Sequence, residues 1–231
     1  MKLQNKPTRD YLYLLILSIT TIYTWFPLTT LILQWESYTY MTRRFYRPLF
    51  TNPLHAFANF DVQSMLTGSI LSKLIGLNMP MYFWLEIFSI LIINICVYFL
   101  IKTLTKNSVS GFIASFIFSV YFFGTEFFAP NYYATFVQRI ILNLPLLLIS
   151  FMFLHRYLTE KIFKYYTLSL CLFFLSLFLA HFGILFSFHI FVYPIFWQIL
   201  SSFRFRSFLR GLLISFPYIL TAVFFWQLQK V

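Results

Sequence analysis

Of the 231 residues, 60% are hydrophobic and only 10% are charged, against about 45–50% and 25% in soluble globular domains, so a water-soluble core is excluded. The formal charge of +11 comes from basic residues flanking apolar runs, where they read as orientation signals and headgroup contacts rather than as a nucleic-acid surface. Soluble-nucleotide hydrolysis is disfavoured too, since the chain has no glycine-rich phosphate loop, no G-x-S-x-G elbow and no redox pair.

The apolar residues fall in blocks of about 16–24, the length that crosses a hydrocarbon core of about 30 Å as helix. An all-α, polytopic integral membrane bundle of about seven transmembrane helices is predicted, with spans at 11–33, 81–101, 110–123, 138–155, 165–181, 183–201 and 209–227. The first is too long for the core of a signal peptide, about 7–15 residues, and is read as retained. The fifth and sixth form one apolar stretch interrupted by His181, Phe182 and Gly183, whose length favours a hairpin over a single kinked helix. Cys96 and Cys171 fall inside spans and are expected to pack inertly. The whole chain, 1–231, reads as a single transmembrane domain. It ends just beyond an apolar span, as a fragment of a longer protein would.

Positive residues concentrate on cytoplasmic loops. With the N-terminus cytoplasmic, Lys2, Lys6, Arg9, Lys102, Lys106, Arg156, Lys161, Lys164, Arg204, Arg206 and Arg210 all fall inside. Glu36, Asp61, Glu86 and Glu126 fall at or beyond the outer interface. The segment 34–80 then becomes a large first extracytoplasmic loop. Within it, Val62 to Ile75 alternates apolar and polar residues with a helical period, predicting a surface helix that Asp61 caps and Gly76 ends.

Candidate chemistry gathers on the outer side. Glu36 directly follows the first span, and a partly desolvated carboxylate at that boundary suits general-base work as well as a plain helix end. Arg43, Arg44 and Arg47 stand on the side where cations are disfavoured, among Tyr38, Tyr40 and Tyr46. Guanidinium groups there can grip phosphate oxygens through paired hydrogen bonds, or anchor to headgroups. Glu126 and Arg139 bracket a second outer loop as an ion pair or a substrate contact. Glu86 and Asn94 on the second span face a cavity or hold helices together. His55, His155, His181 and His189 lack ligand spacing, so no metal site is predicted.

The order of these motifs resembles a known family. A basic N-terminus, one span, an outer acid, Phe45-Tyr46-Arg47-Pro48-Leu49, a surface helix, then Gly76-Leu77-Asn78 and Tyr82 are similar to the N-terminal module of GT-C-type membrane glycosyltransferases, the class that includes protein O-mannosyltransferase-like enzymes. Phe118 and Thr125-Glu126 extend the likeness, which covers about residues 10 to 160. It implies a sugar donor linked to a polyprenyl-phosphate carrier, and a glycan or protein acceptor outside the cytoplasm. Glu36 would be the catalytic base and Arg47, with Arg43 or Arg44, would bind the departing phosphate. Tyr46 belongs to the same binding set, with Asp61 and Glu126 as acceptor or metal contacts. No cofactor beyond that donor is implied, and a divalent cation is left open. Where relatives carry two adjacent acids, Glu36 stands alone; Phe83 and Glu86 replace a His and an Asn. Two alternatives follow: a non-catalytic relative or complex subunit that binds lipid carriers, and a transporter whose path is lined by Asn94, Asn143, His181 and His189.

Overall fold

The computed structural model of the chain describes residues 7–26, 79–121, 143–179, 188–202 and 204–228. These residues form seven helices and no strands. They are α1 (Pro7–Trp25), α2 (Met79–Thr105), α3 (Ser108–Tyr121), α4 (Asn143–Glu160), α5 (Phe163–Leu179), α6 (Phe188–Ser201) and α7 (Phe205–Leu228). The predicted all-α class therefore holds for the described residues, and each predicted span overlaps one helix. The surface helix at 62–75 lies outside them.

Helix boundaries differ from the predicted spans in explicable ways. α4 runs through Arg156 to Glu160, beyond the predicted limit at 155, because charge ends an apolar run without ending backbone hydrogen bonding. The helix stops where Lys161 turns to φ 60° while its N–H still reaches the Tyr157 carbonyl at 2.8 Å, a left-handed C-terminal cap occupied by a lysine. Lys106 closes α2 in the same way at φ 54°. The Asn107 side chain then accepts the Val109 N–H at 2.9 Å and so caps the start of α3. Proline falls in the first turn of α1, α2 and α4, at Pro7, Pro80 and Pro145, where its missing N–H costs no intrahelical bond.

The helices divide into two compact units, α1–α3 and α4–α7. In the first, α2 and α3 pack as an antiparallel pair against α1, burying Leu17, Ile87, Ile90 and Ile93. In the second, α4 pairs with α5 and α6 with α7 around Leu147, Leu154, Phe173, Leu177, Tyr218 and Phe225. The predicted hairpin is thus two separate helices, α5 and α6, each packed most extensively on its other sequence neighbour. Phe173 and Phe191 meet edge to face, with ring centroids 6.0 Å apart.

Polarity is distributed inside out. On α1, Tyr11, Leu15, Ile19 and Tyr23 form an exposed stripe, 57–83% accessible, while Thr21 is fully buried. On α7, Leu213, Phe216, Leu220 and Phe224 are exposed while Ser207, Ser215 and Gly211 face inward. Cys171 is likewise exposed on α5 rather than packed, because its face of the helix is the outer one. Among the described residues, two stretches are long and apolar enough to cross a membrane: Ile87–Thr105, mean hydropathy 2.2, and Phe205–Gln227, mean hydropathy 1.8.

Small residues set the closest helix contacts. Gly111, Ser115 and Ser119 on α3, and Ser207, Gly211 and Ser215 on α7, recur every four residues and so share one helix face. This is the spacing that lets helix backbones approach. A Cβ at Gly111 would stand 2.8 Å from the Tyr98 carbonyl oxygen. Inside α6 and α7, Pro194 and Pro217 lack N–H donors. Three residues before each proline, a carbonyl receives a hydroxyl from a neighbouring helix: Ser215 donates to Phe191 at 2.6 Å and Tyr166 to Ile214 at 3.0 Å.

Candidate functional site

The first unit carries a seam of polar contacts along its length. At one end, Asp10 accepts from Tyr98 at 2.6 Å and from Lys102 at 2.5 Å. Midway, Asn94 donates to Thr21 at 2.8 Å and accepts from the Ser115 hydroxyl through its side-chain oxygen. At the other end, the Trp25 indole donates to the Ser119 carbonyl at 2.8 Å, and Phe26 meets Trp84 edge to face at 6.1 Å. The end of α1, the start of α2 and the end of α3 therefore lie together, and Asp10 and Lys102 mark the opposite end.

Chain connectivity gives this geometry a consequence. Residues 27–78 join α1 to α2, and the segment from 122 leaves α3, all from the Trp25 end. The sequence-predicted residues Glu36, Arg43, Arg44, Tyr46, Arg47 and Asp61 belong to the first segment and Glu126 to the second. All lie outside the described residues, as do Arg139, His55 and His181. Their points of attachment converge.

The remaining polar candidates hold helices together. Asn94 is fully buried and spent on Thr21 and Ser115. In the second unit, Asn143 donates to the Ser176 carbonyl at 2.6 Å. One heptad along each helix, Ser150 and Ser169 exchange hydroxyl-to-carbonyl bonds at 2.8 and 2.7 Å. Tyr218 adds a hydrogen bond to the Ser169 hydroxyl at 2.8 Å. The Asn143 and Ser150–Ser169 bonds crosslink α4 to α5 and Tyr218 joins α7 to α5, so Asn94 and Asn143 act as interhelical ties rather than as the lining predicted for a transport path. His155 is buried with Nδ1 2.6 Å from the Tyr193 hydroxyl, whereas His189 is exposed. Glu86 lies on α2. Among the described residues no group of three or more His, Cys, Asp or Glu could hold a metal ion.

Sequence reading missed the seam at Thr21, Ser115, Ser119, Ser150 and Ser169. The four-residue and seven-residue recurrence of small polar residues within apolar runs was the available signal. It also missed Asp10 as the partner of Lys102, because the two are joined only by the fold.

The Asp10 cluster makes a pH prediction. Partial burial would raise this carboxyl, but the hydrogen bonds from Lys102 and Tyr98 and the Lys102 charge outweigh it and hold it below its ordinary value of 3.8. A carboxylate depressed by folding stabilises above its unfolded pKa, and that contribution is lost as pH falls through the folded one. Thermal melts of wild type and Asp10→Asn in detergent should differ at pH 7 and pH 5, with wild type the more stable. The gap should narrow as pH falls below the ordinary carboxyl value of 3.8. A gap unchanged at low pH would show that the carboxylate charge contributes nothing.

Comparison with known proteins gives no match: no family model, curated protein or solved structure is significantly similar to the chain.

Proposed function

We propose that the chain is a multi-pass membrane protein of about seven spans, with a cytoplasmic N-terminus, that transfers a sugar from a polyprenyl-phosphate carrier to an extracytoplasmic hydroxyl. The membrane reading is supported by the inside-out polarity, since apolar side chains facing outward and small hydroxyls facing inward suit lipid better than water. Predicted spans overlie all seven described helices, and the short basic turns at Lys106 and Lys161 fall on the side assigned to the cytoplasm.

One observation supports the enzymatic reading: the segment that carries Glu36 and the arginines and the segment that carries Glu126 attach at the same end of the first unit. In this reading Glu36 removes the proton from the acceptor hydroxyl as its oxygen bonds the anomeric carbon. The bond from that carbon to the carrier phosphate breaks, and its electron pair leaves with the phosphate. Arg47, assisted by Arg43 or Arg44, meets the charge that develops there. Tyr46 lines the donor site, and Asp61 and Glu126 contact the acceptor or a divalent cation. Attack opposite the leaving group inverts the anomeric centre.

The test is binding of a radiolabelled polyprenyl-phosphate sugar to the protein in lipid nanodiscs. Wild type and Glu36→Gln should bind saturably, while Arg47→Ala should weaken binding by about 10- to 100-fold through loss of a charge-assisted phosphate contact. Binding that survives Arg47→Ala unchanged removes the phosphate role. Binding without turnover in wild type would favour the non-catalytic carrier-binding reading, to which the lone Glu36 and the replacements at Phe83 and Glu86 already point. Failure of several carriers to bind folded protein would end both readings.

A further inference from the structure

Within the second unit, the C-terminal ends of α4 and α6 and the first turns of α7 enclose a cleft of about 550 Å³. Its polar wall contains Lys161, Arg210, Gln198, Trp197, Tyr157 and Ser201 and no carboxylate. Its apolar wall is Leu158, Leu213 and Ile214, with Leu213 71% exposed beside the cations. We propose that this cleft binds an anionic membrane lipid at the cytoplasmic face, phosphate against Lys161 and Arg210 and acyl chain along Leu213.

Charge is the first argument. Among the described residues the ion pair formed is Asp10 with Lys102, in the other unit. Neither Lys161 nor Arg210 has a carboxylate within ion-pair distance there, although Glu160 precedes Lys161 in sequence. Two helix C-termini oppose an anion, so the two cations must outweigh them; part of each end is already satisfied, the Tyr157 carbonyl by the Lys161 N–H at 2.8 Å and the Gln198 carbonyl by the Ser201 hydroxyl at 2.9 Å.

Preorganisation is the second. Lys161 sits in the left-handed region at φ 60°, which a non-glycine residue adopts at a cost. Trp197 is braced by His155, edge to face at 5.2 Å, and by Tyr193 at 5.9 Å. An aromatic wall and two cations beside exposed leucine fit an amphiphile better than a free inorganic ion.

The proposal rests on the membrane reading above and not on sugar transfer. Protein would be placed in nanodiscs of phosphatidylcholine with or without phosphatidylglycerol, then released for native mass spectrometry of retained lipid. Wild type should retain phosphatidylglycerol roughly 10- to 30-fold more strongly than phosphatidylcholine, as two basic residues at an anionic surface allow. Lys161→Gln with Arg210→Gln should lose that preference. Lys164→Gln with Arg206→Gln, the same charge change outside the cleft, should keep it, with helicity by circular dichroism unchanged in both. Equal loss in the two double variants would reduce the effect to general surface charge and overturn the site. Displacement of the lipid by millimolar inorganic phosphate alone would overturn the lipid in favour of the free ion. Protein that never enters the nanodiscs would refute the membrane reading itself, whereas insertion without lipid preference would refute this proposal alone.

Discussion

Glu36→Gln is expected to lower sugar transfer by about 10²- to 10⁴-fold, the usual contribution of a positioned general base, while leaving carrier binding intact. An acceptor hydroxyl is a poor nucleophile until its proton is being removed, and an amide cannot take it. The substitution keeps size and hydrogen-bonding capacity, so a folding defect would be a weak explanation for the loss. Glu36 follows a span that begins on α1, and α1 is tied to α2 and α3 by Asn94, Thr21 and Trp25. Turnover measured under saturating carrier separates the two roles: a lower kcat with unchanged KM supports the base, and a raised KM with unchanged kcat assigns Glu36 to binding instead. Full activity in Glu36→Gln would remove the proposed mechanism.

The helical architecture was legible because membrane-length apolar runs are a strong local signal, as Ile87–Thr105 shows. Ends were less legible. α4 passes through Arg156 to Glu160 because helix termination is decided by Lys161 turning to positive φ, a backbone event that hydropathy does not report. Pairing was less legible still. The interruption at His181–Gly183 reads as a hairpin, yet which face of α5 is sticky depends on Ser169 and Ser176, and these bond to α4. Serine spacing carried that information, but within an apolar run a serine is easily read as filler. Arg47 was visible only as a charge against the orientation rule and Glu36 only as an acid directly after a span, because loop chemistry has no period to read.

Gly211→Leu is expected to be among the most destabilising single substitutions in the second unit. A Cβ at Gly211 would lie 2.6 Å from the Ile195 Cα and 3.1 Å from the Pro194 carbonyl oxygen. Those are backbone atoms, which cannot rotate away as a side chain would, so α6 and α7 must separate. Separation also breaks the 2.6 Å bond from Ser215 to the Phe191 carbonyl. Overpacking costs about 1–3 kcal/mol, and the lost hydrogen bond about 0.5–1.5 kcal/mol more. For a chain of this size that corresponds to a fall of roughly 5–15 °C in the melting midpoint, read by thermal unfolding in detergent. Gly211→Ala should fall less but still measurably, since the clash begins at Cβ itself. Ser215→Ala isolates the hydrogen bond at about 1 kcal/mol. Leu220→Ala, on the exposed face of the same helix, should leave the midpoint nearly unchanged. A Gly211→Leu protein that melts with wild type would mean that α6 and α7 do not meet at this glycine.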